Sequence, residues 1–83
     1  MFNDLVQDLA AEMGLFNVSV ALIDVTAGEI LNTLILQISK EGHVVSALTY
    51  QFELDQLQAG IHCERLEIRI RLALSRLRLL LEP

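Results

Sequence analysis

The first thirteen residues place hydrophobic side chains at three- and four-residue steps, which is the spacing of one face of an α-helix. These positions are Phe2, Leu5, Val6, Leu9, Ala10 and Met13. Asn3 or Asp4 can cap the amino end, and Gly14 suits the left-handed residue that ends a helix. Asp4, Asp8 and Glu12 lie four apart on the opposite side. The pattern predicts an amphipathic helix with a solvated acidic ridge, and a second interpretation is that this ridge meets arginines.

A period-two alternation follows and predicts a first strand that runs through Val25. Its alternating positions are Val18, Val20 and Leu22 against Ser19, Ala21 and Ile23. Residues 26–29 and 40–43 are short, polar and carry glycine third, as hairpin loops often do. They separate two further segments with strand character, residues 30–39 and 44–53. The first half of the chain therefore predicts a three-stranded antiparallel meander after the helix.

One part of this meander has an alternative interpretation. Thr26 and Glu29 have the spacing of a capping box, and the apolar residues that follow share one helical face, so residues 27–41 could be helical. Against a helix, Asn32 and Thr33 are mediocre helix formers. The sequence around the second glycine loop is also a natural turn between two strands. We therefore favour the strand.

The C-terminal third alternates apolar and polar residues from Leu66 to Leu74, so a fourth strand over residues 66–74 is one interpretation. However, residues 54–81 contain no valine, threonine or aromatic residue and are rich in good helix formers. A helix also collects a broad apolar face for the core, formed by Leu66, Ile70, Ala73, Leu74, Leu77, Leu80 and Leu81. We predict a long C-terminal helix, and hence a single α+β domain over residues 1–83.

This helix would carry a second, narrower apolar stripe that the core does not use. Its members are Leu54, Ile61, Ile68, Leu72 and Leu79. Most of them are seven residues apart, as in a seam between helices. Arginines border the stripe on one side at Arg65, Arg69 and Arg76, and Glu67, Arg71 and Arg78 border it on the other. We predict that the stripe, together with Arg65, Arg69 and Arg76, forms an interface with a second copy or with a partner protein.

Composition supports association. A chain of 83 residues can form only a thin core, yet 53% of its residues are hydrophobic. The surplus apolar surface predicts a homodimer or a higher oligomer. Residues 1–60 hold eight acids and one base, whereas residues 61–83 hold three acids and five bases. The apolar runs are too short to span a membrane, and the start lacks the features of a signal peptide, so we expect a cytoplasmic protein.

Few side chains in the sequence suggest ligand binding or catalysis. The arginine cluster suggests phosphate binding, but its members point to two sides of a helix, aromatic residues do not interleave them, and the chain carries a net charge of −5. We therefore do not favour a function in nucleic-acid binding. His43, His62 and Cys63 are too few for a zinc site, and Cys63 is predicted to be a small buried side chain. We predict no metal, no cofactor and no catalytic residue, and thus a non-enzyme.

The expected function is that of a small acidic adaptor or chaperone-like module that acts as a homodimer. It would hold a partner polypeptide by apolar contact, with addition of the partner's strand to the sheet edge as a second mode. The order of elements is similar in outline to that of the small acidic dimeric chaperones that hold secreted effectors in bacteria, a likeness that no residue motif supports. The alternative is a structural subunit of a larger oligomer, and a nucleic-acid-associated regulator is the third possibility.

Overall fold

The structure is a computed structural model that describes residues 2–24 and 33–82. The described elements are α1 (Phe2–Glu12), β1 (Ser19–Asp24), β2 (Thr33–Lys40), β3 (His43–Tyr50), α2 (Gln51–Gln58) and α3 (Glu64–Leu81). The strands form one antiparallel sheet in the order β1-β2-β3. The predicted α+β fold, with an N-terminal helix, a three-stranded antiparallel sheet and a C-terminal helix, is confirmed.

One face of the sheet forms the core together with α1 and α3. Buried residues alternate along β2 and β3, so every second side chain points to the same face. The register aligns Val20, Ile38 and Val45 across the three strands on this face. The helices close it with a cluster of buried side chains that includes Val6, Leu9, Leu66, Ile70, Leu74 and Leu77. The fold is thus two layers, helices on one side of a sheet.

The turn between β2 and β3 has two residues, Glu41 and Gly42, and Lys40 pairs with His43 across it. Both turn residues have positive φ angles, 51° for Glu41 and 83° for Gly42. This is the type I′ geometry, whose twist matches that of the flanking strands. The predicted hairpin loop is confirmed.

The end of α1 is also as predicted, but its beginning is not. Gly14 has a φ of 77°, and the backbone N–H of Leu15 donates to the carbonyl of Ala10 at 2.9 Å, so the chain turns out of the helix there. In contrast, α1 already begins at Phe2. Asn3 and Asp4 therefore lie inside its first turn, and the prediction that one of them is the cap is wrong.

Boundaries in the second half of the chain need correction. The third strand, predicted to reach residue 53, ends at Tyr50, and α2 begins at once. The single helix predicted over residues 54–81 is two helices, separated by a loop in which Gly60 has a φ of 79°. Since left-handed backbone cannot continue a right-handed helix, the break falls at this glycine.

The structure decides between the alternative secondary-structure predictions in the segments that it describes. Residues 66–74 lie within α3, so a fourth strand is wrong. Residues 33–40 form β2, so a helix over that part of residues 27–41 is wrong. The predicted first loop at residues 26–29, Val25 and residues 30–32 lie outside the described residues. Among the described helices, none has the length and apolar character needed to cross a membrane.

Candidate binding surface

The inner face of α3 is the part of the helix that the fold buries. Leu66, Ile70, Ala73, Leu74 and Leu77 are all buried there, as predicted. Leu80 is exposed, so the prediction that it belongs to the buried face is wrong, and Leu81 is half-buried against the edge of the core. Cys63 precedes the helix and is a free, buried thiol, which confirms that it packs as a small core side chain.

Three residues on the opposite side of α3 form an apolar surface that we call the outer stripe: Ile68, Leu72 and Leu79. Their side chains are 48%, 60% and 67% exposed. The structure thus brings together the α3 part of the interface predicted from the sequence. Two predicted members lie elsewhere. Leu54 is buried in α2, and Ile61 is exposed in the loop between the helices. The break between α2 and α3 removes both from the helical register of the stripe.

A groove separates the outer stripe from the free edge of β3, and we call it the α3–β3 groove. Its volume is about 520 Å³ beside the middle of β3, and it continues toward the β2–β3 turn. The central part is lined by Ser46, Ala47 and Leu48 of β3 and by Arg69, Leu72, Ser75, Arg76 and Leu79 of α3. The continuation adds Gln37, Val44, Val45 and Leu80. Over the described residues that line it, the groove is therefore mostly apolar, and its charged side chains are all arginines.

These two arginines bind the edge of β3. Arg69 donates from Nη1 to the carbonyl oxygen of Leu48 at 2.6 Å, and Arg76 donates from Nη2 to that of Ser46 at 3.0 Å. Residues two apart in a strand direct their main-chain groups to the same side, so both carbonyls face away from β2. Arg69 and Arg76, predicted as interface residues, thus cover acceptors that an edge strand would otherwise leave open.

Arg69 has a second partner, the carboxylate of Glu53. This carboxylate is only 1% exposed and forms an ion pair with Arg69 Nη2. It also accepts the backbone N–H of Tyr50 at 3.1 Å and the hydroxyl of Thr49 at 3.3 Å, while the Cys63 thiol lies 3.6 Å away as a weak donor. Glu53 therefore joins the end of β3 to α2 and α3.

Burial of Glu53 disfavours its charge and by itself would raise the pKa of the carboxyl. The hydrogen bonds from Arg69, from the Tyr50 N–H and from the Cys63 thiol, together with the positive charge of Arg69, outweigh that effect and hold the pKa of Glu53 below its usual value of 4.5. The group is consequently ionised in the folded protein at neutral pH. The groups around it all donate to the carboxylate, so it is held in place by several contacts at once.

Aromatic rings extend this cluster to the surface. The guanidinium carbon of Arg69 lies 5.5 Å from the centre of the Tyr50 ring, and that ring stacks on Phe52 with 5.7 Å between centres. Phe52 is 59% exposed. Sequence reasoning missed Glu53, Tyr50 and Phe52, because it placed all three in a strand. Tyrosine is not a favoured helix cap, so nothing in the local sequence signals the start of α2.

The other arginines differ in whether they form ion pairs. Arg71 lies 3.3 Å from Glu12 of α1 and 3.7 Å from Glu67, which supports the interpretation that the acidic ridge meets an arginine within the subunit. Arg78 pairs with Glu82 at 3.9 Å. Neither Arg65 nor Arg76 forms an ion pair with any residue in the described ranges. Arg76 borders the outer stripe on the side of β3, and Arg65 is exposed on the same flank of α3.

The remaining candidate groups do not assemble into a metal site. His62 Nδ1 lies 2.7 Å from a carboxylate oxygen of Glu67, and His43 is exposed next to the β2–β3 turn. Over residues 2–24 and 33–82, no three His, Cys, Asp or Glu side chains come close enough together to hold a metal ion.

The face of the sheet away from the helices is a second candidate surface, which we call the open sheet face. The register aligns Ile23, Ile35 and Leu48 across it, and Val44 lies at its end near the turn. Ile23, Leu48 and Val44 are exposed. Over the described strands, the face consists of Ser19, Ala21, Ile23, Thr33, Ile35, Gln37, Ser39, Val44, Ser46, Leu48 and Tyr50. It thus contains no charged side chain.

Comparison with known proteins supplies no functional assignment. No protein-family model matches the sequence, and no curated protein and no solved structure is significantly similar to the chain. The chemistry of these surfaces is therefore the basis on which a function is proposed.

Proposed function

We propose that the protein is a non-enzymatic, cytoplasmic protein-binding module, an adaptor or chaperone-like protein that acts as a homodimer and holds a partner polypeptide. The observation that carries this proposal is that two exposed apolar surfaces meet at the α3–β3 groove. Leu48 and Ser46 belong both to the open sheet face and to the α3–β3 groove, and Leu72 and Leu79 continue the surface onto α3. Exposed apolar surfaces of this kind on a small domain are characteristic of binding sites for other proteins.

The open sheet face is the part best suited to bind a second copy. The solvated side of an antiparallel sheet is normally polar or charged, and here it carries no charge over the described strands. Packing two such faces together around a twofold axis brings no like charges into contact. A sheet-on-sheet homodimer would cover the row formed by Ile23, Ile35 and Leu48.

The outer stripe is better suited to a different polypeptide. In an antiparallel pair of α3 helices, equivalent flanks meet, so Arg65 and Arg76 of both copies would converge. In a parallel pair, the same flank would meet Glu67, Arg71 and Arg78, and both of those arginines already pair with carboxylates. Only the antiparallel arrangement brings arginines without a described ion pair together, where like charges repel. Antiparallel self-association through α3 is therefore disfavoured, and the stripe remains open to a partner.

Native mass measured by sedimentation tests this division of roles. The wild-type chain should have twice its 9.3 kDa mass. Ile35→Glu would place a charge at the centre of the open sheet face and should give a folded 9.3 kDa monomer, with helix content checked by circular dichroism. Gln58→Glu adds the same charge at an exposed position of α2 and should remain dimeric. A wild-type monomer in dilute solution would overturn the proposed homodimer.

A paired variant tests the surface assignment. Ile68→Ser combined with Leu72→Ser removes much of the outer stripe and should leave the dimer intact. If this variant dissociates and Ile35→Glu does not, the dimer interface is the stripe and the assignment to the sheet is wrong.

A structural assembly subunit is the second candidate function. It is favoured by the presence of two exposed apolar surfaces, one on the sheet and one on α3, since each could bind a copy of the chain. Head-to-tail contacts between different surfaces give open-ended assemblies when the rotation between copies does not close a ring. A native mass that keeps growing as concentration rises would support the subunit, whereas a constant dimer mass supports the adaptor.

A further inference from the structure

We infer that the α3–β3 groove binds an acidic amphipathic helix from a different polypeptide. Apolar residues of that helix would lie on the outer stripe, and its carboxylates would meet Arg76 and Arg65. This inference rests on the proposed function and adds to it the charge and the conformation of the partner segment.

The charge of the groove indicates the charge of its occupant. Among the described residues that line the groove, only Arg69 and Arg76 are charged. The charge of Arg69 is balanced by Glu53, whereas Arg76 donates to the carbonyl of Ser46 and forms no ion pair with a described carboxylate. A guanidinium has five N–H donors, so most of those on Arg76 remain available. Arg65 is exposed on the same side of the helix. A carboxylate-bearing segment is complementary to these cations.

The same charge argues against an antiparallel α3 of a second copy as occupant, since that pairing brings Arg65 and Arg76 of both copies together. The hydrogen bonds at the β3 edge argue against a strand. An added strand needs the outward main-chain groups of β3. The carbonyls of Ser46 and Leu48 are already bound by arginines, and the N–H of Tyr50 is bound by Glu53. A helix satisfies its own main-chain hydrogen bonds and needs only side-chain contacts.

The dimensions of the surface suit a short helix. Ile68 and Leu79 are eleven residues apart on α3, which corresponds to about 16 Å or three helical turns. An amphipathic partner that presents apolar residues at three- and four-residue steps over three turns would match this length. Glutamates next to its apolar face would then lie beside Arg65 and Arg76.

Binding of designed peptides to the full-length protein, measured by fluorescence anisotropy, tests the inference. The acidic probe is a labelled helix of about fourteen residues with leucines on one face and glutamates beside them. The matched probe replaces each glutamate by glutamine, which has similar helix propensity. A third probe carries a central proline in the acidic sequence and cannot form the helix. We expect the acidic probe to bind about fivefold more tightly than the glutamine probe at low salt, with the difference shrinking as salt is added.

Variants of the protein locate the site. Arg76→Gln should remove the preference for the acidic probe, and Leu72→Ser should weaken both helical probes. Arg78→Gln is the matched control, since Arg78 lies on the other flank and pairs with Glu82, and it should keep the full preference. Circular dichroism verifies that each variant is folded.

The outcomes separate this inference from the proposed function. Equal binding of the acidic and glutamine probes would overturn the charge assignment but leave an apolar binding surface. Equal binding of the proline probe would overturn the helical conformation. No saturable binding of any probe would overturn the inference as a whole, whereas the proposed dimer is decided by native mass alone.

Discussion

Arg69 of α3 binds the buried carboxylate of Glu53 and, with the same guanidinium, the carbonyl oxygen of Leu48. One side chain thereby connects the end of β3, the first turn of α2 and the middle of α3. A carboxylate that is almost fully buried requires a paired charge and hydrogen bonds to remain ionised. Glu53 has both, so the connection between the helices and the sheet depends on this pair.

Replacement of Glu53 should therefore destabilise the protein strongly. Glu53→Gln leaves Arg69 without its carboxylate, and we expect the free energy of unfolding to fall by about 3 kcal/mol, the low end for a broken buried pair, because Arg69 is partly solvated. Chemical denaturation measures the change. Asp55→Asn, at an exposed position of the same helix, is the control and should change stability by less than about 0.5 kcal/mol. Equal stability of Glu53→Gln and wild type would contradict a structural role for the pair.

The pH dependence of stability should also report on Glu53. Its pKa is lower in the folded state than the ordinary value of 4.5, so the unfolded chain binds the proton more tightly. Its contribution to stability is complete above the unfolded pKa and is lost as the pH falls through the folded pKa. Denaturation curves recorded from about pH 6 down to about pH 3 should show a steeper loss for wild type than for Glu53→Gln. Parallel curves for the two proteins would show that the pKa of Glu53 is not lowered by folding.

The two sides of α3 should respond differently to the same substitution. Leu77 is fully buried, and Leu77→Ser should cost about 2–5 kcal/mol, which is enough to unfold a domain of this size. Leu72→Ser, on the outer stripe, should leave the helix content of the subunit unchanged. Leu66→Ser should behave like Leu77→Ser. Circular dichroism with thermal unfolding distinguishes the two classes, and similar losses in all three variants would mean that the stripe is not a surface.

The type I′ turn offers a prediction in both directions. Gly42→Ala should destabilise the protein by about 1 kcal/mol, because alanine disfavours the left-handed backbone, although open space surrounds the position. Glu41→Asn should stabilise it by a few tenths of a kcal/mol, since asparagine is preferred at this position. Thermal unfolding of the two variants checks the opposite signs. A neutral or stabilising Gly42→Ala would be incompatible with the φ of 83° at that residue.

Much of the fold could be read from periodicity because local and tertiary requirements agree in those segments. The three-residue steps that end at Gly14 and the alternation of β2 each follow one face of a regular element. The inner face of α3 was predictable for the same reason. The start of α2 was not, because Gln51 and Phe52 continue a strand-like segment without a capping residue. Instead, the buried carboxylate of Glu53 accepts a hydrogen bond from the Tyr50 N–H at the start of α2. The sequence shows that Glu53 is acidic but not that it is buried.

The amino-acid pattern alone determined the order of the N-terminal helix, the three strands and the C-terminal helix, and the existence of an apolar stripe on the last helix, since these depend on spacing along the chain. Only the tertiary structure decided which arginines form an ion pair with a carboxylate. Arg69 and Arg76 lie on the same flank of α3, yet Arg69 reaches a carboxylate and Arg76 reaches only a carbonyl. The physical reason is that charge pairing depends on distances between residues far apart in the chain, which hydrophobic periodicity does not encode.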